Sequence, residues 1–147
     1  MNALVSKISL TSTRAPEFID ITDQVKALVA ESGVRDGLVC VFSRHTTAAV
    51  KINEHEPLLL TDMEKFLARI APPDHYYAHN DFDIRTVNMN DDECPNGHSH
   101  CNHLLLGTSE TIPLIGGQLQ LGRYQSVFMI ELDHPREREV LVQILGA

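Results

Sequence analysis

Apolar residues along the chain change period several times, and each change marks an expected element. Leu4 to Ser12 and Glu17 to Ile21 alternate or run apolar on either side of Arg14-Ala15-Pro16, which predicts two short strands joined as a first hairpin. Val25, Leu28 and Val29 then recur at helical spacing. This predicts a helix over Asp23 to Glu31, capped by Asp20 or Thr22 and stopped by Gly33. The apolar run Leu38 to Ser43 reads as a buried strand, and Ala48 to Asn53 reads as another, with His45 at the break between them. Pro57 suits the first turn of an amphipathic helix reaching Arg69, where Pro72-Pro73 ends it.

A Pro-, Gly- and Asx-rich stretch from about Pro72 to Gly97 follows, too long for an ordinary connection and therefore expected to be a functional loop. Beyond it, Asn96 can cap a short helix from about His98 to Leu106, closed by Gly107. Thr111 to Ile115, QLQLG, SVFMIELD and EVLVQILG are strand-like, with Gly116-Gly117 and Asp133 to Arg136 as the expected hairpin turns. These last strands are too closely joined for the crossover helices of parallel pairing. The order predicts an α+β fold: a mostly antiparallel β-sandwich with two longer helices and one short helix. Its length of 147 residues fits a single domain, 1–147.

Charge narrows the partners. Twelve Lys and Arg against 20 Asp and Glu leave a formal charge of -8, which repels a phosphate backbone, so nucleic acid is not expected. No run of 18 apolar residues and no secretory leader pattern is present, so no membrane association is expected. The three cysteines, Cys40, Cys94 and Cys101, are odd in number and form no C-x-x-C, which suits a reducing, cytoplasmic location. Phosphate-cradling glycine loops and the G-x-S-x-G of serine hydrolases are also absent.

Histidine is the remaining signal: five of the eight fall between His75 and His103. CPNGHSHCNH, Cys94 to His103, is dense in metal-binding residue types, but its cysteines are seven positions apart and it lacks a second pair, so it makes a poor zinc site alone. On a regular helix His98 and His100 diverge by about 200°. Both can reach one metal only if His98 precedes the first turn, which leaves it as an extra ligand or an acid/base. In a first helical turn the dipole favours a neutral imidazole, which makes His100 the candidate ligand, with His103 a bystander. Combining it with His45 and His79 gives a three-histidine divalent metal site, expected to hold zinc, with manganese, iron or nickel as alternatives. Glu54 or Asp62 can orient a ligand or act as base, and the Thr46 and Thr47 hydroxyls can contact a phosphorylated or anionic small molecule.

Taken together, HTTAAVKINE, the helical Asp62, YAH, Asn96 and His100, LLLG, IPL, LGRYQ and ELDHPR resemble the YjbQ-like family along nearly the whole chain. The resemblance implies a trimer-forming α+β fold containing a β-sandwich, and a secondary thiamine-phosphate synthase activity. It also implies that His45, Thr46, Thr47, Glu54, Asp62, His79, Asn96 and His100 belong to one site. Two departures stand out. Arg123-Tyr124 replaces the small residue and Trp usual before Gln125, which offers Arg123 as a further anion contact, and His134 replaces the usual Gly after ELD. The synthase reaction would join a pyrimidine diphosphate to a thiazole phosphate and expel pyrophosphate. A histidine-rich site matches magnesium poorly, so a different metal-assisted reaction of a small anionic compound is expected as the native one. The alternative expectation is a non-catalytic homotrimeric module that binds a metal or metabolite.

Overall fold

In the computed structural model, which describes residues 1–147, the long strand β1 (Asn2–Thr11) pairs antiparallel along its whole length with the last strand, β8 (Glu137–Gly146). Strand β8 pairs on its other side with β3 (Gly37–Ser43), which is followed by β5 (Ser109–Ile115) and the short β6 (Gln118–Leu119). This five-stranded sheet has the order β1-β8-β3-β5-β6. A second, three-stranded sheet sets β7 (Gln125–Glu131) between β2 (Glu17–Asp20) and β4 (Ala48–Glu54). All the pairings are antiparallel.

The sandwich core follows from alternation. In β8 the side chains of Arg138, Val140, Val142 and Ile144 turn inward, and the three apolar ones join Val127 and Met129 of β7 in the main core. The alternate residues of β7, Phe128 and Ile130, are equally buried, but against Leu67 of the second helix. That double burial explains why SVFMIELD reads as a continuous apolar run. Helix α1 (Thr22–Ser32) contributes Val25 and Val29 to the main core, while α2 (Pro57–Ile70) covers the outer face of the small sheet.

Local chemistry sets the helix ends. Asp20 accepts hydrogen bonds from the Thr22 amide and hydroxyl, and Gly33 closes α1 with a left-handed φ of 69°. At α2, Pro57 occupies the first turn as expected, and the Glu56 carboxylate takes the amides of Leu58 and Leu59. Helix α3 (Gly97–Leu106) matches the expected short helix, but its cap does not. Asn96 makes no side-chain capping bond. Instead Asn80 Oδ1, from a single 3-10 turn at Ala78–Asn80, accepts the Asn96 and Gly97 amides at 3.0 and 2.8 Å.

Two expected hairpins are corrected. Strands β1 and β2 do not pair: the first belongs to the large sheet and the second to the small one. Asp133 to Arg136 likewise carries the chain from β7 in one sheet to β8 in the other. The link from β3 to β4 also changes sheet, whereas Gly116-Gly117 does close a hairpin between β5 and β6. Polar turn residues report a reversal of the chain, not which sheet accepts the next strand.

Candidate functional site

Three of the six links that change sheet, β1 to β2, β3 to β4 and β7 to β8, lie at one end of the sandwich, and a buried ion pair fastens them there. Arg138, on the inner face of β8, donates Nε to Glu131 Oε1 at 2.8 Å and Nη2 to Glu131 Oε2. The same Nη2 reaches Thr47 Oγ1 at 2.9 Å, while Ser12 Oγ donates to Glu131 Oε1 at 2.7 Å. Burial alone would raise the Glu131 pKa, but the bonds from Arg138 and Ser12 hold it below the ordinary carboxylate range. Ser12 comes from the first link and Thr47 from the second, and Leu132 of the third donates its amide to Thr47 O at 3.1 Å.

Above this anchor lies a cavity of about 580 Å³ whose walls include Thr46, Thr47, His79, Asn96 and His100. Helix α3 is tied down by Ser99, fully buried, whose hydroxyl donates to Leu132 O. Its first turn also lies so close to the preceding loop that a Cβ on Gly97 would stand 2.6 Å from Tyr77 Cβ, a contact only glycine allows. With both the helix and the Ala78–Asn80 turn fixed, the His79 and His100 rings meet edge to face, centroids 4.7 Å apart. Burial, then the charge of His79, pushes the His100 pKa down, which keeps a lone pair available on a neutral ring.

The loop closing the cavity is ordered by one guanidinium. Arg85 donates to Glu93 Oε2 at 3.0 Å, to His79 O at 3.3 Å and to Asn88 O at 2.6 Å. Cys94, His134 and Arg136 also line the cavity. Arg136 Nη2 donates to His134 Nε2 at 2.6 Å, and Asn96 Nδ2 donates to Asp133 Oδ2 at 3.1 Å. Burial acts to raise the Asp133 pKa, but His134, Asn96 and Arg136 together hold it low. Cys94 is pushed the other way, upward, by burial and by the charge of Asp133.

A family profile described as "UPF0047 protein YjbQ-like" matches residues 6–147. The chain belongs to this family. A UPF0047 protein of Methanothermobacter thermautotrophicus is 40% identical over 146 residues, 99% of this chain and 94% of the relative. Another, from Archaeoglobus fulgidus, is 37% identical and covers 95% of this chain and 99% of its own length. Among solved structures, a YbjQ-like protein of unknown function from Sulfolobus solfataricus superposes with a TM-score of 0.89 at 34% identity, covering 99% of each chain. A yjbq/upf0047 family protein of Clostridium acetobutylicum gives 0.84 at 36% identity, over 95% of this chain and 99% of that one.

In this YjbQ-like chain the expected site residues separate into two groups. Thr46, Thr47, His79, Asn96 and His100 share the cavity. His45, Glu54, Asp62, His98 and Arg123 are not on its walls. His45 Nε2 instead accepts the Glu139 amide at 3.1 Å, which commits one ring nitrogen to β8. Glu54 ends β4, about 20 Å along the strand from Ala48 at the usual rise per residue. Asp62 is exposed on α2, and Arg123 stacks on Tyr124 in an exposed turn. His98 lies within the regular helix, so it diverges from His100 as the rotation demands, and faces a separate small cavity beside Leu67, Ala71 and Pro73.

The donor set fits a borderline transition-metal cation at two of the three expected ligands: His79 and His100 are neighbours, and His45 is engaged elsewhere in the chain. The pattern of the sequence did not single out Arg85 or Arg136, and it treated His134 only as a departure from the family and Cys94 only as part of its own tract. An arginine among Asp81, Asp83 and Asp91 reads as an ordinary surface charge, and ELDHPRER reads as a charged turn, so neither carried a usable signal.

Proposed function

We propose that the chain is a metal-assisted enzyme acting on a small phosphorylated or anionic compound in the cavity beside α3. The observation that carries this reading is the His79–His100 pair, ring centroids 4.7 Å apart on the wall of a polar cavity. A divalent ion held by these rings would supply Lewis-acid polarisation of a substrate oxygen. The chain's own contribution is positional. The Thr46 and Thr47 hydroxyls can hold an anionic oxygen, with Arg136 on the same cavity able to offset its charge. His100, neutral in the folded chain, can accept a proton when no cation occupies it.

The chemistry is metal-dependent group transfer or hydrolysis, with a thiamine-phosphate-synthase-like transfer as a secondary activity. We also propose a homotrimer. Its support is an outward apolar face on the large sheet, where Val5, Leu38, Phe42 and Leu145 are exposed on neighbouring strands. His45 lies at the end of that face through its bond to Glu139, so a subunit boundary there would enclose it. A cytoplasmic site of action is consistent with the lack of any helix long and apolar enough to cross a membrane.

The deciding experiment combines elemental analysis of the purified protein with a turnover screen of phosphorylated compounds, including the pyrimidine diphosphate and thiazole phosphate pair, on wild type and His100→Ala. Turnover that requires a divalent metal and falls at least about a hundredfold in His100→Ala is expected. Ligand binding with no conversion across the screen would replace the enzyme with a non-catalytic metal- or metabolite-binding module.

A further inference from the structure

Beside the same cavity, Cys94, Asp133 and His134 bring one sulfur, one oxygen and one nitrogen together within 4.8 Å, the only such trio of metal-binding side chains in the chain. Cys94 Sγ lies 3.4 Å from His134 Nδ1 and 3.9 Å from Asp133 Oδ1, and those two atoms are 3.0 Å apart. A tetrahedral zinc ion with Zn–S of about 2.3 Å and Zn–N and Zn–O of about 2.0 Å requires ligand edges of about 3.5 Å for S to N and S to O, and about 3.3 Å for N to O. Each observed edge falls within about 0.4 Å of that triangle.

We propose that Cys94, Asp133 and His134 form a binding site for a thiophilic divalent cation, zinc by its mixture of donors, with the remaining coordination position open to the cavity. The site is separate from the His79–His100 pair and does not depend on the reading of that pair. Three features support it. Asp133 is built in: its side chain is 2% exposed, and Asn96 fixes its second oxygen from behind, as a ligating carboxylate requires. Cys94 and His134 both line the cavity, so an ion held between them keeps a face toward whatever binds there. Finally, Asn96 Oδ1, on the same wall, is buried and has no hydrogen-bond partner, leaving an acceptor for a water on the ion.

Without a cation, hydrogen bonds hold the trio. The thiol points to Asp133, the His134 Nδ1–H donates to the same carboxylate, and Arg136 donates to His134 Nε2 at 2.6 Å. Binding exchanges these partners. The thiol proton leaves to solvent as the S–metal bond forms. The imidazole proton moves from Nδ1 to Nε2, freeing the Nδ1 lone pair for the ion. Arg136, now facing an N–H, must release His134, while its contact with Asp133 Oδ2 at 3.4 Å can persist. Arg136 therefore competes with the cation.

The test is titration of the full chain with Co2+ as a spectroscopic probe, followed by competition with Zn2+. A near-ultraviolet thiolate-to-cobalt charge-transfer band with visible bands of tetrahedral intensity is expected in wild type and in His79→Ala/His100→Ala, and should vanish in Cys94→Ser. His134→Gln should weaken binding at least about tenfold, the least that even loss of a partner behind a ligand costs, and Arg136→Gln should tighten it. No band in wild type, a band that survives in Cys94→Ser, a band lost in the double histidine variant, or unchanged affinity in Arg136→Gln would each overturn the proposal. Should Cys94→Ser fail to fold, alkylation of Cys94 in wild type decides, read by peptide mass: Zn2+ should protect it, and equal labelling with and without Zn2+ refutes the site.

Discussion

Replacing Arg138 by Met should destabilise the chain more than almost any other single polar substitution. Glu131 has no solvent exposure and Arg138 has 3%, so neither group can exchange its partner for water. In Arg138→Met the carboxylate keeps the Ser12 hydroxyl at 2.7 Å and the Leu132 and Asp133 amides at 3.2 Å each, but it loses its only cation. Breaking a buried pair in this way costs about 3–5 kcal/mol, because a charge is left uncompensated. Against a total stability on the order of 5–15 kcal/mol, that is a large fraction. Urea unfolding should show a lower midpoint with an unchanged slope. The double variant Arg138→Met/Glu131→Leu should recover most of the loss, since a buried pair replaced by apolar groups is often neutral.

The pH dependence supplies a second readout of the same pair. In wild type the folded Glu131 pKa lies below its unfolded value, so its contribution is fully present above the unfolded pKa and is lost as pH falls through the folded one. In Arg138→Met burial dominates and the folded pKa should rise above the unfolded value, so protonation relieves the variant. The gap between the two proteins should therefore narrow as pH falls. A loss under about 1 kcal/mol, within the range of an exposed pair, or a gap independent of pH would refute the reasoning.

Asn80→Ala removes the acceptor of the Asn96 and Gly97 amides at the start of α3 and should cost about 1 kcal/mol, typical of a lost N-cap, measured by urea unfolding. It should also broaden the ring resonances of both His79 and His100, whose contact depends on that tie. In an NMR titration His100 should protonate at lower pH than an ordinary histidine. Its folded pKa is depressed, so its contribution to stability is present above the unfolded pKa and lost on acidification, and His100→Gln should flatten that part of the stability profile. Leu145→Lys places a charge on the outward apolar face and should shift the chain from trimer to monomer by light scattering. A monomeric wild type would remove the trimer proposal.

Where local chemistry determines structure, the sequence was legible. Pro57 at a helix start, Gly33 and Gly107 beyond helix ends, and the alternation of Val140, Val142 and Ile144 all mark the elements they form. Of the eight residues that the family motifs assign to one site, Thr46, Thr47, His79, Asn96 and His100 share the cavity, and His45, Glu54 and Asp62 do not line it. Legibility failed where partners are distant in sequence. Asn96 looked like a cap because of its position, yet its side chain belongs to Asp133, and the cap comes from Asn80 on another turn. Cys94 drew attention for its neighbours in the tract, whereas the side chain it meets, His134, lies 40 residues away. Linear density of ligand types is a poor guide when a sandwich brings together links that no periodicity connects.

Those links explain why the site lies where it does. A strand that changes sheet must leave the ladder at the end of the sandwich, and its backbone groups there need other partners. Three of the six changes of sheet, those after Thr11, Ser43 and Glu131, fall at the same end because β1, β3 and β7 all finish there, beside the start of β8. A single buried pair supplies much of what they need. Glu131 receives Ser12 from the first link, Arg138 holds Thr47 of the second by hydroxyl and carbonyl, and Thr47 in turn receives the Leu132 amide of the third. The cavity above is floored by residues that cannot move independently, which is the rigidity a positioned metal or substrate contact requires. The segment 72–96 and α3 supply the rest of the cavity wall: Ser99 and Asn96 attach it to Leu132 and Asp133 of the third link, and Asn80 ties the segment to the start of α3. Stability and site are thus coupled: variants that break the Arg138–Glu131 pair should lose ligand binding at temperatures where the sandwich is still folded, because Thr47 is released before the strands separate.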